Sequence, residues 1–371
     1  MRITIVGAGP IGCYLGQLLK NYGFSPIILE EHKEIGVPVH CAGIVGTSLF
    51  SHSKIPLSEE IIENRINGAI ISYNDQHFML RRDNVAFVID REKFDKKLSL
   101  GLNIKKETRL LKLEEKEERW ILQTTKGSVY SDIVIGADGA TSTVRKLVNF
   151  KLTPRYYKGI RIRMRHKVTP EDMVRVDFIK PFLYFCWLIP ESNGYVRIGS
   201  IAPNPRQAVK TYLEKIGLRG EIVEEGGGVI ATGYGETVKG TVALVGDAAC
   251  QVKPLTGGGL YYGMRCAEIL AECIKEGNLW LYDRRWKESW GKEVRLALKI
   301  RKLLEKREFS FLERLFTLAR KNSHIIEQLV DFEHHTAGIF SVVKKIGLLL
   351  PGLSDRNISI LSLLFLGFLL R

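Results

Sequence analysis

Residues 3–31, ITIVGAGPIGCYLGQLLKNYGFSPIILEE, pass from an apolar run through a glycine-rich turn into a helical pattern and back into an apolar run. The run Ile3 to Val6 fits a buried strand. Gly7, Gly9 and Gly12 follow at G-x-G-x-x-G spacing, with Pro10 and Ile11 between them. Proline suits the first helical turn, where its missing N–H would have no partner. Gly7 permits the tight turn, Gly9 lets backbone approach a pyrophosphate, and Gly12 lets the helix pack closely on the strand. The free N–H groups of the helix start and the helix dipole favour negative charge there. The second strand ends in Glu30 and Glu31. Glu30, eighteen residues after Gly12, can accept hydrogen bonds from both hydroxyls of a ribose. The stretch therefore reads as a βαβ dinucleotide-binding unit, against the plainer reading of a structural glycine turn.

Two more glycine-rich stretches have the same form. IVIGADGATSTVR, residues 133–145, is an apolar strand that ends in Asp138-Gly139 and a serine/threonine cluster. ALVGDAACQVKPLTGGGLYYGM, residues 243–264, is a strand that ends in Gly246-Asp247, followed by Pro254 and then Gly257, Gly258 and Gly259 at a helix start. Asp247 can hold a sugar or polyol hydroxyl, and the three glycine amides can face an incoming negative charge.

The remaining pattern predicts an α/β (α+β mixed) chain with a Rossmann-like domain, an interleaved antiparallel sheet and C-terminal helices. GAIISY and HFML suggest a hairpin, and residues 156–200 suggest a second sheet. We assign residues 1–66, 83–150 and 231–290 to the dinucleotide-binding domain, 67–82 and 151–230 to a sheet domain, and 291–371 to a helical region. Lys292 to Arg307 holds seven Lys or Arg at helical spacing, a pattern of a solvated basic face. Residues 357–371 are strongly apolar but shorter than the roughly 20 residues a spanning helix needs. That segment is expected to dip into a membrane interface, cap an apolar channel or pack as a buried terminal helix.

Composition bounds the function. The chain has 371 residues, 45% hydrophobic and 26% charged, and a net charge of +14, which favours anionic partners. Its six cysteines form no C-x-x-C pair or zinc-type cluster, so no metal site is expected. The N-terminus starts at once with a strand, which predicts a cytoplasmic, reduced protein. No nucleic-acid-binding module accompanies the basic charge, so nucleic acid is not an expected partner.

The three glycine-rich motifs together resemble the flavoprotein group of the aromatic hydroxylases, which implies FAD. Arg91 in VIDREKFDKKL matches an arginine that the group places against FAD. Two further stretches resemble the geranylgeranyl reductase family, whose members saturate prenyl chains. GVPVHCAGIVG, residues 36–46, carries P-x-x-C-x-G at Pro38, Cys41 and Gly43. YFCWLIPESNGYVRIGS, residues 184–200, carries an aromatic-x-Trp-x-x-Pro strand at Phe185, Trp187 and Pro190, with Ile189 where the family has an aromatic. Gly199 matches the second glycine of the family's G-x-G, and Arg197 stands in place of the first.

The resemblance implies a reductase that adds hydride from reduced flavin and a proton to a prenyl C=C bond. NAD(P)H or a ferredoxin would be the external reductant. Cys41 is the implied catalytic residue, against its reading as a small buried thiol, and Cys41, Ala42 and Gly43 would lie against the cofactor. Tyr184, Phe185, Trp187 and Pro190 would line the substrate channel, although strand alternation puts Tyr184 on the face opposite Phe185 and Trp187. The basic helices fit an anionic, membrane-resident isoprenoid lipid at the inner face of a membrane, or an acidic ferredoxin. An aromatic monooxygenase or halogenase is the alternative within the flavin group, and a non-catalytic flavoprotein scaffold is the alternative outside it.

Overall fold

The structure is a computed structural model that describes residues 1–74, 76–179, 184–306, 309–329 and 332–333. The apolar stretch 357–371 lies outside the described residues.

Six strands form one sheet, in the order Val238–Lys239, Val242–Leu244, Ile133–Gly136, Ile3–Val6, Ile27–Leu29 and Asn103–Lys105. All neighbours are parallel except the terminal pair Val238–Lys239 and Val242–Leu244. The three strands that lead into the glycine-rich turns are thus adjacent and point the same way. Their C-terminal ends meet at one edge, where open α/β sheets bind ligands. Side-chain alternation fills both faces. Ile5 and Ile135 point to a core shared with the helices Pro10–Asn21 and Leu260–Lys275, where Tyr14 Oη donates to Glu268 Oε1 at 2.7 Å. Val6, Val134 and Leu244 point the other way, to a core shared with a three-stranded sheet through Leu110, Leu122 and Val129.

The second sheet has eight strands, in the order Glu221–Thr232, Arg155–Arg165, Tyr195–Ile201, Tyr184–Pro190, Met173–Ile179, Ile62–Tyr73, Gln76–Ile89 and Ile44–Gly46. The hairpin expected from GAIISY and HFML is the middle of the long pair Ile62–Tyr73 and Gln76–Ile89. The helix Pro205–Ile216 covers one face. Asn204 caps its start by accepting from Gln207 N, and Gly217 ends it in the left-handed region at φ 67°. Val209 and Tyr212 pack there against Ile160, Ile162, Leu188 and Ile198. The other face looks toward the C-terminal edge of the first sheet.

The expected C-terminal helix pair is present as Lys292–Leu304 and Phe309–Lys321. One of its basic residues departs from the expected solvated face. Arg301 is 4% exposed, donates to Pro254 O at 2.8 Å and to Glu305 Oε1 at 3.0 Å, and lies over the Tyr157 ring. Periodicity marks it as basic like its neighbours, but a carbonyl, a carboxylate and a ring give this one a buried seat. Cys266 and Cys273 are fully buried in the core. Among the described residues no helix is long and apolar enough to cross a membrane.

Candidate active site

A cavity of about 990 Å³ runs from the glycine turns of the first sheet to the aromatic face of the second. Gly9, Glu30, Asp138 and Asp247 line one part of it, and Phe185 and Trp187 line another.

The glycines of the first turn divide into two kinds. At Gly7, φ is 102° and a Cβ would lie 2.5 Å from Ala137 O. At Gly12 a Cβ would lie 2.0 Å from Gly7 O. Both are required by the packing of turn and helix. A Cβ at Gly9 would meet nothing within 4 Å, so this residue opens to the cavity at the helix start. Glu30 is 8% exposed and its carboxylate accepts from Ala8 N at 2.8 Å and His32 N at 2.9 Å, with His32 Nδ1 at 2.6 Å from Oε1. A carboxylate has about four lone-pair positions, so one acceptor position remains for a ligand hydroxyl.

Asp138 behaves differently from Asp247. Its carboxylate accepts from Ser142 Oγ at 2.6 Å, Thr143 N at 2.7 Å and Val144 N at 3.0 Å, so it caps the short helix Thr143–Leu147. Gly139 turns the chain at φ 74° and lines the cavity. Arg145 ties this turn to the next by donating to Ala248 O at 2.7 Å. Asp247 lines the cavity, and no hydrogen-bond donor reaches its carboxylate among the described residues. Burial pushes its acid up from the ordinary 3.8 to about 6, against a pull downward from Arg91. Gly246 adopts φ 68° to make the turn before it, and a Cβ at Gly259 would lie 2.5 Å from Asp247 Oδ1. Gly257, Gly258 and Gly259 line the cavity, whereas Pro254 sits behind them with its carbonyl on Arg301. An open helix start, a spare acceptor on Glu30 and the partly buried Asp247 carboxylate form a cradle suited to a ligand with phosphates and hydroxyls.

The Cys41 turn crosses the middle of the cavity. Pro38, His40, Cys41 and Ala42 line it, with Glu31 nearer the first sheet. Cys41 is half-buried and its sulfur accepts from Gly43 N at 3.4 Å. Arg91 holds Asp95 through its terminal nitrogen at 3.1 and 3.2 Å and lines the cavity with Cys41. Burial pulls the Arg91 guanidinium down, but Asp95 and Cys41 outweigh it and hold it above its usual range. Arg161 also faces Cys41, is 3% exposed and pairs with Glu224, and its Nε has no hydrogen-bond partner among the described residues. Burial first, then His32, Arg161 and Arg91, push His40 below its ordinary value and favour the neutral imidazole.

Of the four residues expected along a substrate channel, two line the cavity and two do not. Phe185, Trp187 and Ile189 line the cavity beside Val174, Val176 and Phe178 of the neighbouring strand. Tyr184 and Pro190 do not line it. Period-2 alternation puts both on the face of Cys186 and Leu188, and Tyr184 packs toward Tyr157 instead. Trp187 lies across Gly199, where a Cβ would be 2.2 Å from Cζ2 of the indole. Sequence reasoning missed Val174, Val176 and Phe178, although MVRVDFI alternates visibly. It also missed His40 and Lys253. Lys253 lines the cavity and pairs with Glu333 at 3.0 Å, and nothing in the local spacing announces that contact.

No family model matches the chain. It is 29% identical over 377 residues to an uncharacterized protein of Methanocaldococcus jannaschii, covering 93% of this chain and 95% of that one. It is 30% identical over 349 residues to digeranylgeranylglycerophospholipid reductase 2 of Methanopyrus kandleri, covering 81% of this chain and 86% of that one. The fold matches that of a geranylgeranyl bacteriochlorophyll reductase-like protein of Thermoplasma acidophilum with a TM-score of 0.80 at 20% identity, over 97% of this chain and 98% of that one. With 30% identity to a digeranylgeranylglycerophospholipid reductase over 81% of its length, the chain belongs to the geranylgeranyl reductase family.

Proposed function

We propose that this reductase binds FAD and saturates C=C bonds of a geranylgeranyl-type chain, in an isoprenoid ether lipid or a prenylated quinone, with NAD(P)H or a ferredoxin as the external reductant. The observation that carries this reading is one continuous cavity with a dinucleotide cradle at one end, an apolar aromatic face at the other and a cysteine turn between them. When bound, reduced flavin supplies the hydride.

An isolated trisubstituted alkene has no carbonyl to draw a hydride, so a proton must arrive before or with it. Positive charge then develops at the more substituted carbon. The ring faces of Trp187 and Phe185 can stabilise that charge in a water-poor channel. Cys41 carries the proton on sulfur and delivers it to the alkene, and the positive charge of Arg91 in the same cavity favours the negative charge left behind. Val174, Val176 and Ile189 offer the prenyl chain an apolar wall. The net charge of +14 suits an anionic lipid surface or an acidic electron donor at the inner face of a membrane.

The test is mass spectrometry of lipids from a host that makes unsaturated prenyl ethers, with and without this protein. The expected result is a gain of the mass of H2 for each bond reduced. An unchanged lipid profile beside purified protein that retains FAD would remove the substrate assignment.

A further inference from the structure

Arg197 stands where the family pattern has a glycine, and the cavity-lining turn depends on what it does there. It lies in the strand Tyr195–Ile201 and is 5% exposed. In register it sits between Ile189 on one neighbouring strand and Arg163 on the other, on the same face as Trp187 and two residues along. Its Nε donates to Glu191 Oε1 at 2.6 Å, and one terminal nitrogen donates to Glu63. The other donates to two backbone carbonyls, Ala42 O and Ile89 O, each at 3.0 Å. Glu191 is shared with Arg163, which holds it at 2.7 Å, so two arginines and two glutamates close a neutral cluster.

The two carbonyls are the informative partners. Ala42 follows Cys41 directly, and Ile89 lies two residues before Arg91, which lines the cavity together with Cys41. Ile89 N also donates to Gly43 O at 2.8 Å, so turn and strand are stitched twice. The turn is shaped to receive the guanidinium. Gly43 has φ 73°, and a Cβ there would lie 1.9 Å from Arg197 Nη1. A buried ion cluster gives little net stability over apolar residues of like volume, but it fixes geometry because each partner has only one satisfied arrangement.

We infer that Arg197 is a positioning residue: it clamps the Cys41 turn to the end of the strand Gln76–Ile89, just before Arg91, and so sets the distance from thiol to guanidinium. This rests on the reading of Cys41 as the proton carrier, and the experiment separates the two. Full-length, FAD-loaded protein is compared with Arg197→Lys, Cys41→Ala and the double variant. The rate of Cys41 alkylation by iodoacetamide is followed against pH, together with kcat, KM, FAD occupancy and melting. The other five cysteines are buried, so the reagent reports on Cys41.

Lysine keeps the charge but cannot reach two carbonyls and two carboxylates at once. The expected result is retained FAD, a displaced alkylation pH profile and a kcat lower by about tenfold to a hundredfold at similar KM. In the Cys41→Ala background the same substitution should cost no further kcat. Should Arg197→Lys fail to fold, Glu63→Gln, which loosens the more exposed end of the clamp, carries the same readouts. An unmoved alkylation profile, or an equal kcat loss with and without Cys41, would overturn the inference. If Cys41→Ala alone turns over like wild type, the proton-carrier reading fails, and the alkylation profile still reports whether Arg197 holds the turn.

Discussion

Asp247 and Gly199 make opposite demands on their surroundings. Asp247 is a partly buried carboxylate that no donor reaches among the described residues, so the folded flavin-free chain binds its proton more tightly than the unfolded chain does. Its folded value of about 6 lies above the unfolded 3.8. Stability from this group is therefore full below about pH 4 and lost as pH rises through 6, by roughly 3 kcal/mol. Flavin-free wild type should lose melting temperature across that window relative to Asp247→Asn, and parallel melting curves would contradict the assignment. Retained flavin in Asp247→Asn should also fall, as read by absorbance after gel filtration. Gly199 must stay small, because a methyl group there meets both the Trp187 indole and Ile160 O at 2.3 Å. Gly199→Ala should cost about 1–3 kcal/mol in urea unfolding and shift Trp187 fluorescence. Much of this scale was legible beforehand. Glycine spacing marked the cradle and alternation separated Trp187 from Tyr184. Arg197 was visible only as a departure from a pattern, because its partners come from positions 42, 63, 89 and 191, which no local spacing connects.

At the scale of elements, the helix Lys292–Leu304 is anchored to the third glycine motif by one side chain. Arg301 reaches Pro254 O, Leu255 O and Glu305 while stacked on Tyr157. Removing it leaves Glu305 partly buried beside Tyr157 and strips the loop of its donor. Arg301→Ala should destabilise by about 3 kcal/mol in chemical unfolding, against less than about 0.5 kcal/mol for the exposed Lys299→Ala. The helices themselves follow from apolar spacing, and the buried strands from unbroken β-branched runs. The order of the eight-stranded sheet was not legible. Met173–Ile179 pairs in parallel with Ile62–Tyr73 across more than a hundred residues, and pairing at that distance leaves no local trace.

At the scale of the molecule, three parallel strand ends form the cradle and the mixed eight-stranded sheet supplies the greasy wall, with the Cys41 turn bridging them. That division gives a single cavity a polar end and an apolar end, as the proposed function requires. The net positive charge belongs to the same scale: sedimentation with anionic vesicles should be strong at low salt and fall steeply as ionic strength rises, whereas salt-independent binding would point to apolar insertion. Protein whose FAD has been reduced without oxygen, mixed with a digeranylgeranyl glycerophospholipid, tests the whole account most directly. The prediction is that flavin absorbance returns only after the lipid is added, with each lipid product heavier by the mass of H2 per bond. Flavin that stays bleached until air is admitted, beside lipid of unchanged mass, would contradict it.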